Sequence, residues 1–263
     1  MQLRILALRM RRLLVALVVL VGVAAATAQG ERAQRGNLIV TLDGGFAPRA
    51  LPRDRPAPVS VKLVAGLQTT DDSTLPRVTR VELGIPGQGL ISSRGLPTCK
   101  PRRIRNTTTA KALEACESAL IGSGRMVAQV KIPSQPAFPV HARLLAFNGR
   151  VHGQRAVIVH GLALRPPTVV VLPFLIELRP GKFGTVLTAH LPPNLGPWPR
   201  FARFEMSFHR RYTYRGRERS YINASCPLPK RVPFAPFSFA KATFTLADGR
   251  QISKGIARTC RAR

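Results

Sequence analysis

Across residues 204–214 the apolar side chains fall on every second position, Phe204, Met206, Phe208, Tyr212 and Tyr214, with Arg203, Glu205, Ser207, His209, Arg211 and Thr213 alternating with them. A period of two belongs to a strand with one buried face; a helical turn of 3.6 residues would scatter the same side chains around its circumference. Arg210 alone breaks the apolar row, which places the rim of a sheet there, with the guanidinium reaching water. Ile222, Ala224 and Cys226 continue the even-numbered pattern, so residues 201–260 read as an antiparallel sheet stapled by Cys226 and Cys260.

Turn lengths follow from the same pattern. Paired residue numbers in an antiparallel ladder sum to a constant, so even positions face even positions only across a loop of odd length. A three-residue loop, Tyr214-Arg215-Gly216, with Gly216 left-handed, pairs Phe208 with Ile222 and Phe204 with Cys226. Downstream, the loop Ala247-Asp248-Gly249 sets Phe244 opposite Ile252, whereas Asp248-Gly249 alone would set it opposite Ser253. The three-residue loop is expected in both places.

The compartment is read from the first residues. Arg4, Arg9, Arg11 and Arg12 precede an apolar run over 13–23 and then Ala26-Thr27-Ala28, the three-part form of a secretory signal peptide with cleavage after Ala28. An uncleaved anchor is the alternative for the same run. The first cysteine is Cys99, so no lipobox follows. In an oxidising compartment four cysteines imply two disulfides, and of the three connectivities the spacing favours Cys99 with Cys116 and Cys226 with Cys260. A zinc site would want closely spaced ligand pairs such as CxxC, which this sequence does not contain.

The whole chain carries +29, and without residues 1–28 it has 37 basic against 12 acidic residues, or +25. The preference for arginine over lysine, with abundant alanine and proline, matches GC-rich coding. Such coding leaves Asp and Glu available, however, so the excess points to an anionic environment or partner. For an exported chain that means an anionic envelope polymer or a membrane surface of lipid head groups; nucleic acid would be bound only non-specifically, at low salt.

Further along, strands are expected at 37–42, 59–66, 78–84, 126–132, 139–147, 156–160, 168–178 and 185–191. Asp43-Gly44-Gly45 reads as a turn, 47–58 as a proline-rich loop, 69–76 as a polar turn, and 192–199 as a rigid connector carrying Trp198. Residues 84–105 hold too many glycines and prolines for a regular element. One helix is expected at 109–120, with Ala110, Leu113, Cys116 and Leu120 on its stripe, a cap among residues 107–109, and Gly122-Ser123-Gly124 as its stop. Asn148-Gly149 signals a turn, but the polar stretch after it predicts a longer loop over 148–155. Pro173 argues for an edge position or a bulge.

Strands at roughly ten-residue spacing with turns between them are the signature of an all-β fold: an antiparallel β-sandwich, or a sandwich-like partly closed barrel, with one short helix near 109–120. About 235 residues follow the signal segment, enough to bury roughly 70% of their unfolded surface in one core. The expected division is 1–28 signal peptide, 29–36 flexible N-terminus and 37–263 a single domain, with a subdivision left open near 133–138.

The signal peptide, Cys99 to Cys116 running into Ala-Leu-Ile-Gly-Ser-Gly, the strand end Leu-Leu-Ala-Phe-Asn-Gly, the strand Val-Ile-Val-His and the Cys226 to Cys260 pair together resemble uncharacterised exported all-β proteins of high-GC Gram-positive bacteria. That resemblance extends over most of the mature chain. It implies compartment and fold, and brings no activity, cofactor or functional residue.

Chemistry-bearing constellations are sparse. His141, His152, His160, His190 and His209 are scattered with no HExxH spacing, although His160 and His190 could meet in space. Ser123 between glycines lacks the strand-to-helix context of a nucleophile elbow. Glu114 and Glu117 read as an exposed charged helix face, with Lys111 beside Glu114. No catalytic residue, metal ligand or cofactor is assigned. The sharpest hint is the arginine-rich hairpin: Arg203, Arg211, Arg215, Arg217 and Arg219 as an anion-binding set, with tyrosines that either stack on a ligand or fill the sheet face. The expectation is an exported, non-enzymatic protein held to the anionic cell envelope by these arginines. The alternatives are a secreted hydrolase with a site between strands and a carrier of an apolar ligand, which would need converging ionisable groups and an apolar cavity respectively.

Overall fold

The computed structural model describes residues 31–193 and 198–263; the expected signal segment lies outside them. In chain order the strands are β1 (Glu31–Arg35), β2 (Leu38–Ala47), β3 (Ala50–Leu51), β4 (Ala57–Pro58), β5 (Ser60–Thr69), β6 (Val78–Ile85) and β7 (Gly89–Ile91). After a helical segment come β8 (Leu120–Val130), β9 (Phe138–Val151), β10 (Gln154–Leu164), β11 (Pro167–Leu178), β12 (Thr185–His190) and β13 (Pro199–Phe208). The remainder are β14 (Arg211–Tyr214), β15 (Arg217–Ser220), β16 (Ile222–Ala224), β17 (Phe234–Leu246) and β18 (Gln251–Ala262).

The fold is all-β and sandwich-like. Among the described residues, one curled sheet runs β1-β2-β5-β13-β8-β9-β10-β11-β12-β6-β17-β18-β3, with β14-β15 and β4-β16-β7 as small separate sheets. Its two ends approach each other: Arg258 on β18 donates to the Gly44 carbonyl (2.6 Å) and to Asp43 (2.6 Å) on β2, and Phe46 packs on Phe237 and Phe239. The Asp43-Gly44-Gly45 turn is thereby corrected, because β2 runs straight through it. Gly44 serves close approach instead, since a Cβ there would lie 2.3 Å from the Lys62 carbonyl of β5. Residues 31–35, expected to be frayed, form an edge strand. The 131–137 connection joins β8 to β9, neighbours in the same sheet.

Inward residues such as Val40, Leu42, Leu144, Val157, Phe204 and Phe244 build the main core. Strands β9 and β10 are buried on both faces. Leu144, Ala146 and Val157 point to the main core, while Leu145, Phe147 and Ile158 form a second cluster with Cys99, Ile104 and Cys116. That outer face is covered by the helical turn Pro101–Ile104, which was not expected, and the helix Thr109–Cys116. The helix is capped by the Thr108 hydroxyl, which accepts from the Lys111 N–H, and its buried side chains are Ala112 and Cys116 rather than Ala110. It ends four residues early, passing through a 3-10 turn into β8 at Leu120. Gly122 and Gly124 are therefore strand residues and not a helix stop; a Cβ on either would strike a β13 carbonyl, at 2.3 Å and 2.0 Å.

Both disulfides form as the spacing predicts, Cys99–Cys116 and Cys226–Cys260, the latter fully buried. The Ala247-Asp248-Gly249 loop also forms, with Gly249 left-handed at φ 83° and Phe244 opposite Ile252. The other hairpin differs. Tyr214 pairs with Arg217 across a two-residue turn, Arg215 (φ 52°) and Gly216 (φ 70°), and Phe208 and Phe204 face Val61 and Ala65 of β5 rather than Ile222 and Cys226. The parity argument needs both strands to share one core face. It holds for β17–β18, which do, and fails here because the chain leaves the main sheet between Phe208 and Arg211, so nothing ties even positions to even. A similar tight turn, His152 (φ 47°) and Gly153 (φ 79°), replaces the longer loop expected over 148–155. Pro173 does sit beyond a ladder's end: β12 pairs with β11 only over 175–178.

Candidate functional site

The five arginines singled out from the sequence do not form one cluster. Arg203 lies in the body of β13, between Gly66 of β5 and Val127 of β8. The other four lie on the separate β14–β15 hairpin. Arg211 faces Glu218 at 3.6 Å, and Arg215 rests over the Tyr214 ring at 5.5 Å. Arg215, Arg217 and Arg219 are exposed, with no carboxylate partner among the described residues.

The tyrosines are not free stackers, and Tyr212 is half-buried against the main core. Tyr212 donates its hydroxyl to the carbonyls of Ser92 (3.3 Å) and Arg94 (3.1 Å). Tyr214 lies flat on Gly95, where a Cβ would come within 2.1 Å of the ring. Together they moor the hairpin beside loop 92–98, one wall of a polar cleft of ≈ 530 Å³.

Three further arginines, Arg94, Arg150 and Arg155, line this cleft with Ser92, Ser93 and Asn148, and among the described residues no carboxylate does. Arg150 and Arg155 are delivered by the ends of β9 and β10 on either side of the His152-Gly153 turn; Arg94 comes from the loop after β7. Asn148 is buried and donates to the carbonyls of Leu96 (3.3 Å) and Pro97 (2.8 Å), while the Cys99 N–H donates to the Asn148 carbonyl (2.8 Å). The disulfide to Cys116 anchors that same segment to the helix. Arg155 donates through Nη2 to the Ile91 carbonyl (2.9 Å), and its Nε is buried without a partner.

Behind this cleft the interior of the curled sheet is incompletely filled. One apolar cavity of ≈ 110 Å³ is walled by Phe46, Leu63, Val157, Leu187 and Phe239 among others. A second, of ≈ 120 Å³, adds Leu144, Val159, Val170, Leu172 and Phe174. The two share Leu63, Leu83, Val157, Leu187 and Phe208. Because β12 covers β11 only at 175–178, the stretch before it has a free edge among the described residues, and Val170, Leu172 and Phe174 are half-buried where they line the second cavity. Ile91 lines both the first cavity and the polar cleft. Tyr221 stands at the same junction. Its ring lines the cavity, its hydroxyl is buried without a partner, burial pushes its pKa up, and the Arg155 charge opposes that shift.

Among the described residues other ionisable groups do not converge on a cavity. His160 is fully buried under the helical segment with Nε2 3.0 Å from the Thr107 carbonyl, and burial lowers its pKa. His190 is exposed on β12 opposite Arg80, so the two histidines do not meet. Glu82 and Glu177 share Arg179, and Glu82 also pairs with Arg80, so two arginines balance the two carboxylates. Among the described residues no group of three or more His, Cys, Asp or Glu could hold a metal ion.

No family model, curated protein or solved structure matches the chain at a significant level. Sequence reading did not single out Arg94, Arg150 or Arg155. Only the flanking of a left-handed turn by Arg150 and Arg155 was there to be read, had residues 148–155 been taken as a tight hairpin.

Proposed function

We propose that the protein is an exported carrier that holds an apolar ligand inside its curled sheet. The observation that carries this reading is the pair of adjoining apolar cavities, bordered by the half-buried side chains at the free edge of β11. An empty cavity costs about 24 cal/mol per Å³, so roughly 2.5 kcal/mol for each of these two, which an apolar occupant would recover. The lining supports carriage over catalysis: among the described residues Tyr221 is the one titratable side chain of the first cavity, and the second has none. The two disulfides suit an oxidising compartment, in keeping with export by residues 1–28. The test is organic extraction and mass spectrometry of the purified protein, with titration of a fluorescent apolar probe. One saturable site and an extractable apolar compound are expected; absence of both would remove the carrier reading.

A second reading, association with the anionic cell envelope, draws on Arg215, Arg217 and Arg219, exposed on a hairpin outside the main sheet. It is compatible with carriage, since a carrier must meet a lipid surface. Retention on anionic vesicles should fall steeply with salt, and replacing the three arginines by serine should weaken it. Unchanged retention in that variant would take the hairpin out of the account.

A further inference from the structure

We infer that the carried ligand is an anionic amphiphile, its alkyl chain in the apolar cavities and its carboxylate or phosphate head in the cleft of Arg94, Arg150 and Arg155. This rests on the carrier reading and assigns the chemistry of its ligand.

Three observations lead there. First, an apolar and a cationic space adjoin: Ile91 lines both the first cavity and the cleft, and its carbonyl accepts from Arg155. A neutral apolar ligand needs no such neighbour. Second, the cleft's charge is uncompensated. Among the described residues three arginines line it and no carboxylate does, although elsewhere Glu82, Glu177 and Glu205 each engage an arginine. Arg94 and Arg150 are exposed to water, whereas Arg155 is partly buried, and a partly buried cation without an anion is the costly one. A bound carboxylate or phosphate relieves this and accepts the forked donors that arginine presents. Third, two polar atoms are buried without partners at this junction, Nε of Arg155 and the hydroxyl of Tyr221. Native interiors seldom leave such groups orphaned, and here both belong to residues between the alkyl space and the head-group space.

Burial of an unpaired charge in the apolar cavities is costly, so the alkyl chain goes in and the head stays at the cleft; Leu63, Val157, Leu187 and Phe208 line both cavities along the chain's course.

The experiment uses the mature chain with both disulfides intact and a fluorescent apolar probe, displaced by dodecanoate, dodecyl phosphate, dodecanol and dodecyltrimethylammonium below their micellar concentrations. The two anions should displace it at least about tenfold more tightly than dodecanol, the ratio one charge-assisted hydrogen bond supplies, and the cation less tightly. Arg94→Gln with Arg150→Gln should bring the anions down to the dodecanol level and leave dodecanol unchanged. Equal binding of anions and dodecanol, or an anion preference that survives the double substitution, would overturn the head-group assignment while leaving the carrier intact. Displacement by none of the four would overturn the carrier reading itself. The ratio of dodecanoate to dodecyl phosphate then separates a fatty-acid head from a phosphate head.

Discussion

Replacing Val157 by Phe tests the interior directly, because Val157 is buried and lines both apolar cavities. The substitution adds four carbons. At about 0.8 kcal/mol per buried carbon, a ring placed in space that already exists gains roughly 3 kcal/mol. Strain from fitting it takes back about 1–3 kcal/mol. An engineered cavity of about 150 Å³ is known to take a benzene, so adjoining spaces of ≈ 110 Å³ and ≈ 120 Å³ can take a phenyl ring. The expected net effect is a stability unchanged or raised by up to about 2 kcal/mol. In a close-packed core the gain is missing and only the strain remains, so the sign of the change distinguishes the two interiors. Urea unfolding with disulfides intact, read as a shift of midpoint at constant slope, gives the stability. In parallel the affinity for the apolar probe should fall at least about tenfold, since the ring occupies the ligand's path. A loss of more than about 1 kcal/mol together with unaltered probe binding would refute both the cavity and the carrier.

His160 is held neutral by burial, with its pKa lowered from 6.5. The unfolded chain therefore takes up a proton that the folded one refuses, so this residue's contribution is intact above pH 6.5 and is lost as pH falls below it, at up to about 1.4 kcal/mol per pH unit. His160→Gln, which keeps a donor for the Thr107 carbonyl, should flatten that slope as pH falls below 6.5; identical pH profiles for the two proteins would contradict it. Loop lengths of 17 and 34 residues give the disulfides unequal weight, about 3 kcal/mol for Cys99–Cys116 and about 4 kcal/mol for Cys226–Cys260. Denaturant midpoints of the paired Cys→Ala variants should follow that order, and the Cys99/Cys116 variant alone should loosen the arginine cleft and reduce anion binding. Gly124→Ala sets a methyl 2.0 Å from the Glu205 carbonyl and should cost about 1–3 kcal/mol through forced movement of β8 against β13; a neutral result in thermal unfolding would mean the two strands lie further apart.

How much of this could be read beforehand depended on whether a feature was local. Strand positions were legible because each strand carries its own alternation, and the Phe244 to Ile252 register because both strands of that hairpin face one core. Where neighbouring strands belong to different sheets, as at Phe208 and Ile222, the same arithmetic had no common face to act on. Gly122 and Gly124 misled for a related reason. Glycine stops a helix by its backbone freedom and permits close strand approach by its lack of a side chain, and only the position of β13 decides which property is used.

The arginine hairpin was visible as a run of charge, yet the cleft beside it is assembled from Arg94, Arg150 and Arg155, brought together by the β9–β10 turn and the loop tied down by Asn148 and Cys99. The apolar cavities left still less trace. Each wall residue is an ordinary core residue on its own strand, and a void is a property of how facing strands fail to meet. The amino-acid sequence by itself determined the all-β class, the two disulfides and the strongly basic surface, because periodicity, cysteine spacing and charge are additive along a chain. Only the tertiary structure decided that the sheet curls until β2 meets β18 and leaves apolar space inside. It also set that space against three arginines without a carboxylate among them, because closure and juxtaposition depend on residues that are close in space and distant in sequence.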